Sequence, residues 1–248
     1  MTDRGIGIVT YNRAKYLGDL IEAVLKTAPE GARIVVADDG STDETPQVVA
    51  SFPRLMYLRG QNRGVAHNKN RALWALQDCA FLALIEDDLF PVKPGWFEIY
   101  QTCAAFLGVH HFCRVQEKEV PEPLPEVTGA LSDVYGWHPL YGESPRGDFT
   151  FLTRRALNVV GGLHPDFRGA GYAHGEWSNR IARAGLIPHP AKWIDIREAR
   201  DSFEQRGDRE GGRWSDDPAV VKQQLKDNRA VQKRLKASRI QHVPLEVG

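Results

Sequence analysis

Short apolar runs, each closing on a polar cluster, set the rhythm of the amino-terminal part of the chain. Gly5 to Thr10 is β-branched and apolar, Tyr11-Asn12-Arg13 interrupts it, and Leu17, Ile21, Val24 and Leu25 then recur at helical spacing. The pattern predicts strand, loop, helix. A second apolar run, Ala32 to Ala37, stops at Asp38-Asp39-Gly40-Ser41-Thr42-Asp43, whose Asp and Ser side chains can accept from the free amides that open the next helix. A third strand, Leu55 to Leu58, precedes the polar stretch Gln61 to Asn70 and a helix carrying Ala72, Leu73 and Leu76. A fourth, Phe81 to Ile85, ends at Glu86-Asp87-Asp88, and its unbroken apolar character fits burial on both faces. Strands separated by helices imply an α/β fold: a Rossmann-like, mostly parallel central sheet flanked by helices, joined by right-handed crossovers.

Beyond the fourth strand the pattern loosens. Val115 to Gly147 is rich in Pro, Gly and Glu and holds Tyr135, Trp137 and Tyr141, which predicts a long loop excursion able to close over a site. Ordered patterning returns from Asp148 to Ile196, and a charged segment from Arg200 leads to a helix expected from Asp217 or Pro218 to Ala237. The expected organisation is a first half at 1–90, a second half of the same domain at 91–199, and a charged carboxyl-terminal extension with a basic helix at 200–248.

Composition narrows the class. With 248 residues, 42% of them apolar, the chain can bury a sizeable core. Its 32 basic and 32 acidic side chains cancel, so any attraction for nucleic acid or anionic lipid must be local. Three cysteines without framework spacing suit a reducing compartment. With no basic-then-apolar leader and no apolar run of spanning length, a cytoplasmic protein without a transmembrane segment is expected.

In open sheets of this kind ligands bind beyond the carboxyl ends of the strands, where Thr10–Arg13, Asp38–Asp43, Gln61–Asn70 and Glu86–Asp88 fall. Asp38-Asp39 could serve as a cap and turn, or as acceptors for a nucleobase N–H or ribose hydroxyls. Three adjacent carboxylates repel one another at a strand tip, and a divalent cation would relieve them; a solvated acidic turn is the alternative. Mn²⁺ or Mg²⁺ suits such oxygen ligands and leaves coordination positions for phosphates.

Thr10-Tyr11-Asn12-Arg13, Val36-Ala37-Asp38-Asp39-Gly40-Ser41-Thr42-Asp43, Asn62-x-Gly64 and Asn70-x-Ala72 resemble, in order and spacing, the opening of family 2 glycosyltransferases. The resemblance implies a GT-A fold with a smaller acceptor-side subregion and a carboxyl-terminal helix, and a metal-dependent, inverting transfer of a sugar from a nucleoside-diphosphate sugar, UDP favoured, to a hydroxyl acceptor. In that reading Thr10, Tyr11, Asn12, Arg13, Asp38, Asp39, Asn62, Gly64 and Asp87 face the sugar nucleotide, with Lys69 near its diphosphate, where the family usually has Arg. Glu86-Asp87-Asp88 forms the DXD element, with Asp88 the metal ligand. Glu86 and His189 are further candidates for the metal. A second element, Gly161 to Phe167 with Tyr172-Ala173-His174-Gly175-Glu176-Trp177, looks like the acceptor half; it nominates Glu176 as the base and His174, Trp177 and Trp137 as acceptor-side residues, although Glu176 is followed by Trp177 where the family has Asp. Each keeps a structural alternative: Glu176 as a helix-start charge, Trp177 as core, His174 and His189 as structural histidines.

Other reaction classes remain in view: a sugar nucleotidyltransferase, disfavoured by the lack of a Gly-rich basic loop after the first strand, and a catalytically silent sugar-nucleotide or carbohydrate-binding module. Cys103, His110, His111 and Cys113 match no zinc spacing. Between Lys222 and Arg239 seven basic residues face only Asp227, with Val221, Leu225 and Leu235 as a thin apolar stripe. That is either a solvated helix or a patch for anionic lipid or nucleic acid, so the acceptor could be a glycan, a lipid-linked sugar or nucleic-acid bases.

Overall fold

The computed structural model describes residues 3–117, 131–169, 171–187, 193–206 and 217–245. Its first half alternates as the apolar runs predict: β1 (Arg4–Thr10), α1 (Ala14–Thr27), β2 (Arg33–Asp38), α2 (Thr45–Ala50), β3 (Met56–Arg59), α3 (Val65–Leu76) and β4 (Phe81–Glu86). These four strands lie parallel in the order β3-β2-β1-β4. Leu17, Leu20, Ile21 and Val24 form the buried face of α1, while Leu25 turns outward at 46% exposure. The polar Gln61–Asn70 stretch is loop only as far as Gly64, since α3 begins at Val65 and buries Asn68, Lys69, Asn70 and Arg71.

The second half extends the same sheet. After β5 (Leu89–Pro91) and α4 (Trp96–Leu107) come β6 (His111–Glu117) and the long β7 (Pro139–Thr153), which runs antiparallel to β4, to β6 and to β8 (Trp193–Ile196). Both ends of the expected loop excursion are therefore strand. Its Pro and Gly content misled because Gly142 and Pro145 lie where the β6–β7 register shifts, the irregularities in which such residues are tolerated. The later named helices are α5 (Arg154–Val160), α6 (Ala173–Arg183), the short α7 (Arg197–Arg200) and α8 (Pro218–Ser238). β9 (Phe203–Gln205) pairs with β5 in a small second sheet.

Trp96, Phe97, Tyr100, Phe112, Phe149 and Phe151 form an aromatic cluster beneath the antiparallel strands, with ring centroids 5.0–6.2 Å apart. Besides the β4–β7 ladder, close polar contacts join the halves. Asn70 donates to the Leu163 carbonyl and accepts from the Leu163 amide, both at 2.8 Å, and the Val65 amide donates to the Gly169 carbonyl at 3.1 Å. The helix expected from Asp217 or Pro218 starts at Pro218, and Asp217 caps it by accepting from the Ala219 amide.

Candidate active site

The carboxyl ends of β1, β2 and β4 and the amino terminus of α3 surround a cleft of about 140 Å³ lined by Thr10, Tyr11, Arg13, Asp39, Gly64, Asn68, Glu86, Asp87 and Asp88, with Gly169 closing one side. Gly64 opens α3 at φ 97°, and a Cβ there would fall 2.2 Å from the Gly169 nitrogen, so the close approach of the two halves requires glycine.

The rim is a set of backbone loops held by side chains. Asn68 donates to the carbonyls of Thr10 and Ala37, fixing the β1 and β2 tips against each other. Asn12, at φ 51°, donates from its amide to Ser41 Oγ and accepts the Thr42 amide, while Asp43 accepts the Ala14 amide. Asp38 is fully buried; Ser41 donates to its Oδ1 and the Tyr57 hydroxyl to its Oδ2, so it builds the loop instead of facing the cleft. Asp39 accepts the amides of Arg63 and Gly64 at 3.1 and 2.7 Å and lines the cleft, and burial raises its pKa against those two bonds. Asn62 is exposed and outside the lining.

The acidic triplet is not compensated evenly. Lys69, 1% exposed, places Nζ 2.6 Å from Glu86 Oε1 and donates to the Gly147 carbonyl at 2.5 Å. Asp87 accepts the Tyr11 amide at 3.3 Å and lies 3.7 Å from Arg13 Nε. Burial pushes its carboxyl up to about 7, opposed by the Thr10 hydroxyl and Arg13 and assisted by Glu86 and Asp88. Asp88 accepts from Gln205 Nε2 through Oδ2 at 3.1 Å, whereas its Oδ1 is buried without a hydrogen-bond partner. The repulsion expected of three acids is thus met for two of them by Lys69 and Arg13, and the oxygen left over belongs to Asp88. One carboxylate oxygen on the wall of an open cleft fits Mg²⁺ or Mn²⁺, which accept few protein ligands and fill the rest with other oxygens.

The second element behaves differently from the sequence expectation. Glu176 is 4% exposed, and both its oxygens accept from Arg180 Nε at 2.9 and 3.0 Å. Arg180 in turn donates to the Val160 and Gly162 carbonyls at 2.6 Å each. Glu176 borders a separate cavity with Asn179, Arg183 and Lys236, not the cleft at the strand tips, because the i,i+4 pair turns it along α6. Trp177 is fully buried and donates to the Gly161 carbonyl at 2.8 Å. His174 lies in the first turn of α6 near the Lys69 charge, its ring nitrogens 3.4 Å from Thr150 Oγ1 and Ser178 Oγ, and burial holds it neutral. Ligand atoms of His111, Cys113 and His174 come within 4.8 Å of one another, a grouping that their sequence spacing hid, while Cys103 lies buried on α4. Trp137 stacks on Tyr135 at 4.8 Å. His189 lies outside the described residues.

Sequence reasoning missed Asn68, and it missed the network that leads away from Asp88. Gln205 joins Asp88 to Arg146; Arg146 and Arg114 both contact Asp148 Oδ2, at 3.0 and 2.8 Å; and Asp148 Oδ1 is buried without a partner. The β4–β7 register, Ile85 opposite Phe149, puts Asp148 beside Glu86. The only signal in the sequence was a lone Asp opening an apolar alternation.

A family model described as glycosyl transferase family 2 matches residues 6–101. The chain is 31% identical over 179 residues to the chondroitin synthase of Escherichia coli, covering 66% of this chain and 24% of that protein. It is also 31% identical over 97 residues to the glycosyltransferase GlyG of Streptococcus pneumoniae, covering 37% of this chain and 32% of that one. The chain thus spans about a quarter to a third of the length of these curated relatives. Among solved structures, glucosyl-3-phosphoglycerate synthase from Mycobacterium tuberculosis, held with Mn²⁺, UDP and glucosyl-3-phosphoglycerate, superposes with a TM-score of 0.59 at 14% identity over 93% of this chain and 80% of that one. A mannosyltransferase from Pyrobaculum calidifontis, in complex with GDP-Man and Mn²⁺, gives 0.54 at 20% identity over 75% and 53%. The architecture is that of the GT-A glycosyltransferases.

Proposed function

We propose that the cleft at the strand tips holds a nucleoside-diphosphate sugar with Mn²⁺ or Mg²⁺ and that the protein transfers the sugar to a hydroxyl acceptor, a reading supported by the match of residues 6–101 to the glycosyl transferase family 2 model. The observation that carries this reading is Asp88 Oδ1, a buried carboxylate oxygen without a partner on the wall of the cleft. A cation bound there supplies charge neutralisation for the departing diphosphate. The chain's own residues supply position. Tyr11 and Asp39 bracket the place for the nucleoside, Asp39 offering carboxylate oxygens that already accept the Arg63 and Gly64 amides and still have lone pairs for a base N–H or ribose hydroxyl. Lys69 acts from beneath, fixing Glu86 and the Gly147 carbonyl, so its charge reaches the diphosphate through the packed site and not by contact.

UDP is the favoured nucleotide and inversion the favoured stereochemical course, both carried by family likeness. An inverting transfer needs a base for the acceptor hydroxyl, and Glu176 can serve only after releasing Arg180. The test is release of sugar from a panel of UDP- and GDP-sugars by purified protein with Mn²⁺. Turnover of at least one donor that disappears with EDTA and with Asp88→Ala is expected; equal rates for Asp88→Ala and the parent protein would overturn the assignment.

A further inference from the structure

Helix α8 has two unlike faces. Its inner face is set by Gln224, Asn228 and Leu235, which are buried, with Val231 half-buried beside them; Leu225, expected in the apolar stripe, is 40% exposed. Asn228 donates to the carbonyls of Arg168 and Gly171 and accepts the Arg168 amide, and a Cβ on Gly169 would fall 1.9 Å from Gln224 Nε2. The inner face is therefore fixed to the 168–171 backbone, whose Gly169 also lines the cleft.

The outer face is a line of cations. Lys222, Lys226, Arg229, Lys233 and Lys236 are all exposed and follow one another at intervals of four, three, four and three residues, which keeps them on one side of the helix over about 21 Å at 1.5 Å per residue. Within the helix no acidic side chain shares that side, and Lys236 at its end also borders the cavity lined by Glu176. Asp227, the acid within the helix, accepts from Gln223 Nε2 at 2.8 Å on another face, and Arg234 is taken by Asp166 of the body.

We propose that this ridge docks double-stranded DNA through its phosphates, alongside the cleft. The partner suited to five aligned cations is a dense line of negative charge, since such a row gains little from a single small anion. A lipid surface fits less well. A helix that lies in a membrane interface needs its apolar face turned to the bilayer, whereas the least polar face of α8 is committed to the protein and the outward face is charged. A convex ridge of one helix width matches the B-form major groove, roughly 12 Å wide, with its flanking phosphates. A duplex seated there lies about one helix diameter, roughly 10 Å, from the 168–171 rim. Docking of this kind does not depend on sugar transfer and can be tested apart from it.

Fluorescence anisotropy with a labelled 20-base-pair duplex, measured from 50 to 200 mM KCl, reads the proposal. Up to five phosphate contacts give a slope of log affinity on log salt of about −4.5, which is roughly a 500-fold loss across that range. The variant with Lys222, Lys226, Arg229, Lys233 and Lys236 all replaced by Gln keeps the helix and its buried face. It should lose duplex binding and most of the slope while retaining the parent melting temperature and nucleotide-induced stabilisation. Asp88→Ala should do the reverse, keeping the duplex and losing the nucleotide effect. The proposal is overturned if the parent protein does not bind the duplex at 50 mM KCl, if the five-site variant binds with unchanged slope, or if phosphatidylserine vesicles at equal charge compete the duplex away.

Discussion

Replacing Glu176 by Gln takes the countercharge from a guanidinium that the fold has buried completely. Arg180 is 1% exposed, its Nε donates to both Glu176 oxygens, and its two terminal nitrogens donate to the Val160 and Gly162 carbonyls where α5 ends. Burial already lowers the pKa of Arg180, and Glu176 is the leading influence that restores it. Breaking a buried pair by removing one partner costs about 3–5 kcal/mol; Gln retains one hydrogen bond, so a loss of about 3 kcal/mol is expected. At roughly 2–4 °C per kcal/mol for a chain of this size, the melting temperature should fall by about 6–12 °C. Differential scanning calorimetry measures the fall, and nucleotide binding assayed well below the transition should remain near the parent value. The double replacement Glu176→Leu with Arg180→Met should recover much of the loss, because it leaves no buried charge. A Glu176→Gln protein as stable as the parent but without turnover would refute the structural role and restore Glu176 as the catalytic base.

Asp195 should make stability fall with rising pH. Its carboxyl is pushed up to about 7, chiefly by burial and against bonds from the Tyr100 hydroxyl and the Ile196 amide, and its Oδ2 is buried without a partner. The folded protein therefore binds a proton that the unfolded chain releases near pH 4, and stability declines between those two values by about 1.4 kcal/mol per unit before levelling off. Asp195→Asn should make the fall of urea midpoints across pH 5 to 8 shallower, leaving the share that Asp87, also pushed up to about 7, contributes; an unchanged slope would dispose of the argument. Gly64→Ala meets both a φ of 97° and the Gly169 backbone, so it should lower the melting temperature and weaken nucleotide binding together, and a neutral result in both would contradict the close approach. Asn70→Ala leaves the Leu163 amide and carbonyl unpaired at the join between the halves and should cost about 1–3 kcal/mol in denaturant titration, without altering the affinity for Mn²⁺.

The parallel half was legible because each strand and its helix carry their own period, and because a strand that ends on acids announces which sheet edge binds. Gly142 and Pro145 hid β7, since residues that break a regular ladder are also those a shifting register uses. Asn68, Lys69 and Asn70 read as the end of a polar stretch ahead of the helix, yet each of their side chains is buried against a backbone carbonyl or a carboxylate. Polarity alone does not tell a solvated segment from a helix whose polar groups tie loops together. The same limit explains Glu176: sequence marks an acid at a helix start but not that Arg180, one turn on, has already claimed it. Asp148 could not be found because the antiparallel pairing that brings it to Glu86 joins residues far apart in the chain.

The most direct test of the account is where a cation sits. Crystals soaked with Mn²⁺ and UDP, with data collected at the manganese edge, should show one anomalous peak in the cleft within coordination distance of Asp88 Oδ1 and of the diphosphate oxygens. Manganese bound elsewhere, with Asp88 unligated and the nucleotide outside the cleft, would contradict it.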